Sequence, residues 1–175
     1  MQLRLTRKLI PVTLLVGCLV ALPALASEPA GGLSSTEQAA YLADLKRLYL
    51  SQDERQALLL HSNALLTSYA LRAGYQVGQA QRQDLLYQLR LGAPGELLLR
   101  EEVRGQGGDM AVRNQRIALF GVDPFIRYDC PSSGISCVFY NPVDGSPLLT
   151  IVRDHQGAAE LAKALSFLIR KVQRD

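Results

Sequence analysis

Cys137-Val-Phe-Tyr140, Asn141-Pro-Val-Asp-Gly-Ser-Pro147 and Leu148-Leu-Thr-Ile-Val152 follow one another without interruption. Two apolar runs rich in β-branched and aromatic residues flank a connection rich in Pro, Gly, Asn and Asp. That pattern predicts an antiparallel hairpin. Asp154 to Gly157 then leads into a helix predicted over 158–173, with Leu161, Leu165, Leu168 and Val172 at helical spacing. The C-terminal part therefore reads as a small antiparallel sheet closed by a helix.

Upstream of the hairpin, residues 96–104 fit a strand or a short helix, and Gly105-Gln-Gly-Gly-Asp109 fits a turn. Residues 116–121 and 125–128 are candidate strands around Asp123-Pro124. The texture differs before Gly92-Ala-Pro-Gly95. Ser34-Ser35-Thr36-Glu37-Gln38 supplies a helix start with a capping-box pattern. Tyr41, Leu45 and Leu48, with Leu42 and Tyr49, then form one apolar face. Ser51-Gln52-Asp53 breaks this helix and opens a second over 53–73, with Leu58, Leu65 and Tyr69 on its apolar side. A third helical segment is predicted over 79–91, carrying Leu85, Leu86 and Leu89. The fold class is α+β: an N-terminal helical hairpin or small bundle over 34–91, then an α+β region over 96–175.

The chain has 175 residues, of which 19 are basic and 16 acidic. Arg4, Arg7 and Lys8 are three of the basic ones, and no acid precedes Glu28. The rest of the chain is therefore balanced in charge, which removes the support for a direct nucleic-acid partner. Trp is absent, which argues against a surface built on stacked indoles.

The opening residues, MQLRLTRKLIPVTLLVGCLVALPALA, join a basic segment to a short apolar run and an Ala-Leu-Ala ending. This predicts a signal peptide over 1–26, cleaved after Ala26, and hence a periplasmic protein with a flexible lead-in over 27–33. Leu15-Val16-Gly17-Cys18 resembles a lipobox and offers an alternative, lipidation at Cys18. A membrane attachment is expected only in that case, or if the short apolar run stays uncleaved.

With Cys18 removed, Cys130 and Cys137 remain, bracketing Pro131-Ser-Ser-Gly-Ile-Ser136. Two close cysteines in an exported chain predict a disulfide. They make a poor metal set, since CxxC is absent and the two histidines, His61 and His155, are distant. No cofactor is expected.

Chemistry-bearing motifs are few. His61 lies within an apolar helix and reads as a hydrogen-bonded structural histidine. His155, beside Asp154, could be combined with Ser132, Ser133 or Ser136, but no G-x-S-x-G elbow surrounds those serines. Gly105–Gly108 is not followed by the Lys-Ser/Thr of a P-loop. Glu101-Glu102, between Arg100 and Arg104, reads as a solvated mixed-charge face. Arginine outnumbers lysine 13 to 3 after the leader. The arginines are dispersed in sequence, which fits plain surface charge better than an anionic-ligand surface.

The order Gly121-Val-Asp-Pro-Phe125, Asp129-Cys-Pro131, Cys137, Asn141-Pro142, Asp144-Gly-Ser-Pro147 and Glu160-Leu-Ala-Lys-Ala-Leu-Ser-Phe167 resembles small exported proteins of integrating conjugative elements, which accompany type IV secretion genes. The resemblance covers the C-terminal third. It implies an envelope accessory role in DNA transfer and carries over no catalytic residue. The leading expectation is a non-enzymatic periplasmic interaction or scaffold protein with protein partners in the cell envelope. The alternative is a periplasmic serine hydrolase using Ser136 or a neighbouring serine with His155.

Overall fold

The computed structural model describes residues 35–174. The fold is α+β, with two N-terminal helices, two small antiparallel sheets and a C-terminal helix. Helix α1 spans Ser35–Leu48 and α2 spans Glu54–Ser68. Asp53 caps α2, its carboxylate accepting from the Arg55 N–H at 2.8 Å and the Gln56 N–H at 3.4 Å. This satisfies amides that have no partner inside the helix.

Strands β1 (Gln83–Leu91), β2 (Glu96–Gly105) and β3 (Met110–Ala118) form the first sheet, in that order. The second sheet contains β4 (Tyr128–Asp129), β5 (Ser136–Tyr140) and β6 (Pro147–Val152). The quoted hairpin is therefore β5–β6, closed by a Gly145 N–H to Asn141 carbonyl bond of 2.8 Å. Helix α3 starts at His155 and ends at Val172, earlier at its start than the apolar stripe suggests. The reason is Asp154, whose side chain accepts from the Gly157 N–H at 2.7 Å and sets the first turn.

The expected helical region 34–91 is corrected. Residues 83–91 form β1, and α2 ends at Ser68. Leu85, Tyr87, Leu89 and Leu91 alternate onto one face, and Gly92–Gly95 turns the chain back so that Leu89 opposes Leu99 and Leu91 opposes Leu97. Leucine at 85, 86 and 89 also fits helical spacing, so pairing with β2 decides the outcome. Gly95 makes the turn tight. Its φ is +73°, and a Cβ there would stand 2.1 Å from the Phe120 ring.

The core lies between the helices and the inner faces of both sheets. Leu58, Leu66, Leu99, Leu119, Ile126, Phe139, Leu149, Ile151, Leu161 and Leu168 are fully buried. Helix α3 buries nearly every residue of one side, from Gly157 to Val172. Gly157 lies directly under the Tyr69 ring, where a Cβ would come within 2.5 Å of a ring carbon. At the other end, Gln173 donates to the carbonyls of Leu119 and Val122 at 2.7 and 2.8 Å, pinning the loop after β3 to the end of α3.

Residues 69–71 splice the two sheets together. The Val152 N–H donates to the Tyr69 carbonyl, and the Leu85 N–H donates to the Leu71 carbonyl, both at 2.9 Å. The same edge of β1 is closed further by side-chain amides. Asn63 donates to the Leu89 carbonyl at 3.0 Å and accepts from the Leu89 N–H at 2.8 Å. Gln76 does the same for Gln83. Two amides thus stand in for a missing neighbouring strand.

Candidate functional site

The opposite edge of the first sheet has no such cover. Antiparallel ladder bonds alternate in direction along a strand. Leu85 and Leu89 direct their N–H groups away from β2. The register then makes the odd-numbered residues of β2 bond to β3, which leaves the even-numbered residues of β3 pointing outward. The Gly105 N–H to Asp109 carbonyl bond and the Leu119 N–H to Gly95 carbonyl bond, both 2.8 Å, fix the same phase at the two ends. The N–H and C=O groups of Val112, Asn114 and Arg116 therefore line a free edge. Among the described residues no backbone hydrogen bond reaches it from another element.

The first half of β3 also stands clear of the core. Met110 to Asn114 are exposed on both faces, and only Ile117 is buried. The strand is nine residues long, carries no proline and shows no register shift against β2. Natural sheets commonly blunt such an edge with bulges, prolines or charges. Here only charge is used, at Arg113 and Arg116.

Sheet pairing also assembles an arginine-rich face. Leu98 of β2 is flanked by Arg90 on β1 and Arg116 on β3, and Arg100 sits one row away between Gln88 and Asn114. Two strand spacings separate Arg90 from Arg116, about 10 Å at the backbone. Arg104 lies further along the same face. Glu102 accepts from both Arg100, at 3.1 Å, and Arg104, at 2.5 Å. Those two bonds, Arg104's first, hold the Glu102 carboxyl below its ordinary value. Arg90 bonds only the Gln88 amide, and Arg116 has no side-chain hydrogen bond or ion pair among the described residues. A cleft of about 350 Å³ lined by Ala73, Asp84, Arg104, Asp109 and Met110 continues this face toward the β2–β3 turn. The dispersal of arginine in sequence is thus not a dispersal in space. On the inner face, Arg113 and the Tyr87 hydroxyl both bond Glu101, at 2.8 and 3.0 Å. Burial first, and the Glu101 charge second, push the Tyr87 phenol up and keep it protonated.

A second polar cluster joins the three helices. Glu160 of α3 accepts from the Tyr41 hydroxyl of α1 at 2.8 Å and lies 3.2 Å from Nε2 of His61 on α2. Its other oxygen meets Lys163 at 2.6 Å, and that ammonium sits 4.1 Å from the Tyr41 ring centre. The Tyr49 hydroxyl lies 3.1 Å from His61 Nδ1. The His61 bond, followed by those from Lys163 and Tyr41, draws the Glu160 carboxyl down to about 2. Burial raises the phenols of Tyr41 and Tyr49. The result is a satisfied network with protonated tyrosines around a fixed carboxylate. Its effect is to tie α1 and α2 to α3, and His61 is the hydrogen-bonded histidine that the sequence suggests.

Cys130 and Cys137 form a disulfide between the end of β4 and β5. It continues the register in which Asp129 opposes Val138. His155 is exposed at the start of α3, and no hydrogen bond links it to Ser132, Ser133 or Ser136. Asp154 bonds its own helix, and the Ser132 carbonyl accepts from Arg153. Ala26 and Cys18 lie outside the described residues. Among the described residues there is no group of three or more His, Cys, Asp or Glu placed to hold a metal, and no helix is long and apolar enough to cross a membrane. The chain matches no family model, no curated protein and no solved structure.

Proposed function

We propose that the protein is exported and works as a non-enzymatic interaction or scaffold component of a bacterial envelope machine, in line with its resemblance to accessory proteins of conjugative type IV secretion. The observation that carries this reading is the unpaired β3 edge of the three-stranded first sheet, whose residues 110–114 are all exposed. An edge of that length and regularity is a template for a partner chain. The Cys130–Cys137 disulfide supports an oxidising compartment. The basic, then apolar, then Ala-Leu-Ala leader supports passage through a secretion channel and release by signal peptidase after Ala26.

Mild cross-linking in the native cell envelope, followed by recovery of the protein, tests the reading. Specific recovery of secretion-channel or pilus components is the expected result. Recovery of the protein alone, at native abundance and with several linker lengths, would overturn it. The intact mass of the recovered chain tests export separately, because cleavage after Ala26, lipidation at Cys18 and an uncleaved leader give three different masses.

A further inference from the structure

We infer that the β3 edge takes an extended partner segment bearing acidic side chains, added as a fourth strand to the first sheet. This rests on the interaction reading and specifies its partner.

The backbone of β3 is ready for a further strand. Val112, Asn114 and Arg116 present a row of outward donors and acceptors in strand geometry. An added strand satisfies them without any rearrangement of β3. The other long edge of this sheet, on β1, is already closed by Gln76, Leu71 and Asn63. Only the β3 side can grow.

Charge selects the kind of strand. Residues 110–118 contain two arginines and no acid. The side chain of Arg116 points to the outer face, where same-face side chains of a strand added beside β3 would reach it, and among the described residues it has no carboxylate partner. Arg100 stands one strand further in, behind the short Asn114, and Arg90 beyond Leu98. Arg100 and Arg104 share the single carboxylate of Glu102. A carboxylate on the added strand opposite Asn114 or Arg116 would meet this group of guanidiniums, whose planar forks suit it. A lysine-bearing strand would meet repulsion at the same positions. A second copy of β3 is disfavoured for the same reason, since antiparallel self-pairing would bring Arg116 of both chains to the outer face of one seam, where β3 itself supplies no acid.

The experiment uses the purified, naturally processed protein and two synthetic ten-residue peptides. One alternates Thr with Glu and the other alternates Thr with Lys. Amide resonances of the protein are followed during titration. The expected result is that the Glu peptide shifts the amides of Val112, Asn114 and Arg116 and binds about tenfold more tightly than the Lys peptide at low salt, with the difference shrinking as salt rises. Arg116→Glu should reverse the preference. Asn114→Pro should abolish binding with folding intact, because the amide it removes points outward and serves no ladder bond. Equal binding of both peptides, binding that survives Asn114→Pro, or no binding by a folded protein would each overturn the inference. So would a dimer that forms with rising concentration and disappears in Asn114→Pro, since the occupant would then be a second copy. An envelope partner that cross-links only through another face would sink this inference while leaving the interaction role standing.

Discussion

Replacing Glu160 with glutamine isolates the charge at the three-helix junction. Glutamine keeps the size of the side chain, and its carbonyl can still accept from Tyr41 and His61, which approach the same oxygen at 2.8 and 3.2 Å. What it loses is the negative charge beside Lys163 and the acceptor that Lys163 uses. In the folded protein the Glu160 carboxyl sits at about 2, against an ordinary value of 4.5. A gap of that size corresponds to about 3 kcal/mol in linkage terms. The side chain is 31% exposed, so solvent screening reduces the usable part to about 1–2 kcal/mol. Because the folded-state value is depressed, this stabilisation is fully present above pH 4.5 and drains away as pH falls toward 2. Glu160→Gln should therefore lower stability by about 1–2 kcal/mol at pH 7 and by progressively less below pH 4.5, until the two proteins converge. Urea unfolding followed by circular dichroism at pH 7, 4.5 and 3 measures this, with an unchanged denaturant slope as the check on two-state behaviour. Equal losses at pH 7 and pH 3, or no loss at pH 7, would refute the claim that a charged Glu160 braces the junction.

Four further outcomes follow from single features. Ser62 is fully buried with an unpartnered hydroxyl, so Ser62→Ala should raise stability by about 1 kcal/mol in thermal or urea unfolding; a loss would mean that the hydroxyl is bonded. Leu50, two residues past the end of α1, has φ +50° and is 93% exposed, with the Ser51 N–H reaching back to the Lys46 carbonyl. Leu50→Gly should thus stabilise by about 0.5–1 kcal/mol, as glycine is the usual residue at this position. Asn63→Ala strips both backbone groups of Leu89 of their partner and should cost about 2–3 kcal/mol, with a loss under about 0.5 kcal/mol counting against the edge-closing role. Replacing Cys130 and Cys137 together with alanine should cost about 2–3 kcal/mol in the chain-entropy account, and alkylation of the unreduced protein should label neither cysteine.

What the sequence disclosed depended on how local each signal was. The β5–β6 hairpin and α3 were legible because their apolar positions repeat at a period of two and at helical spacing, with turn residues between. The disulfide was legible because its partners are near in sequence. β1 fits a helix as well as a strand in sequence, because Leu85, Leu86 and Leu89 satisfy both periods, and its true neighbours, β2 and the amides of Asn63 and Gln76, become visible only on folding. The Glu160 network joins residues 99 and 119 positions apart, far beyond any motif window. The arginine face is the plainest case. Arg90, Arg100 and Arg116 are unremarkable along the chain and become neighbours only through the register of three strands. The open edge itself follows from the phase of the ladder bonds, which composition does not carry.

The central claim is that β3 is the surface through which this protein engages its partner. A photoactivatable residue placed at Asn114, whose backbone faces outward, tests it most directly in living cells. A matching residue at the exposed Gln88 on β1, on the same face but away from the free edge, serves as the control. The account predicts a covalent adduct with a second envelope protein from position 114 and little or none from position 88. Adducts from position 88 with none from position 114 would contradict it, as would an absence of adducts from both.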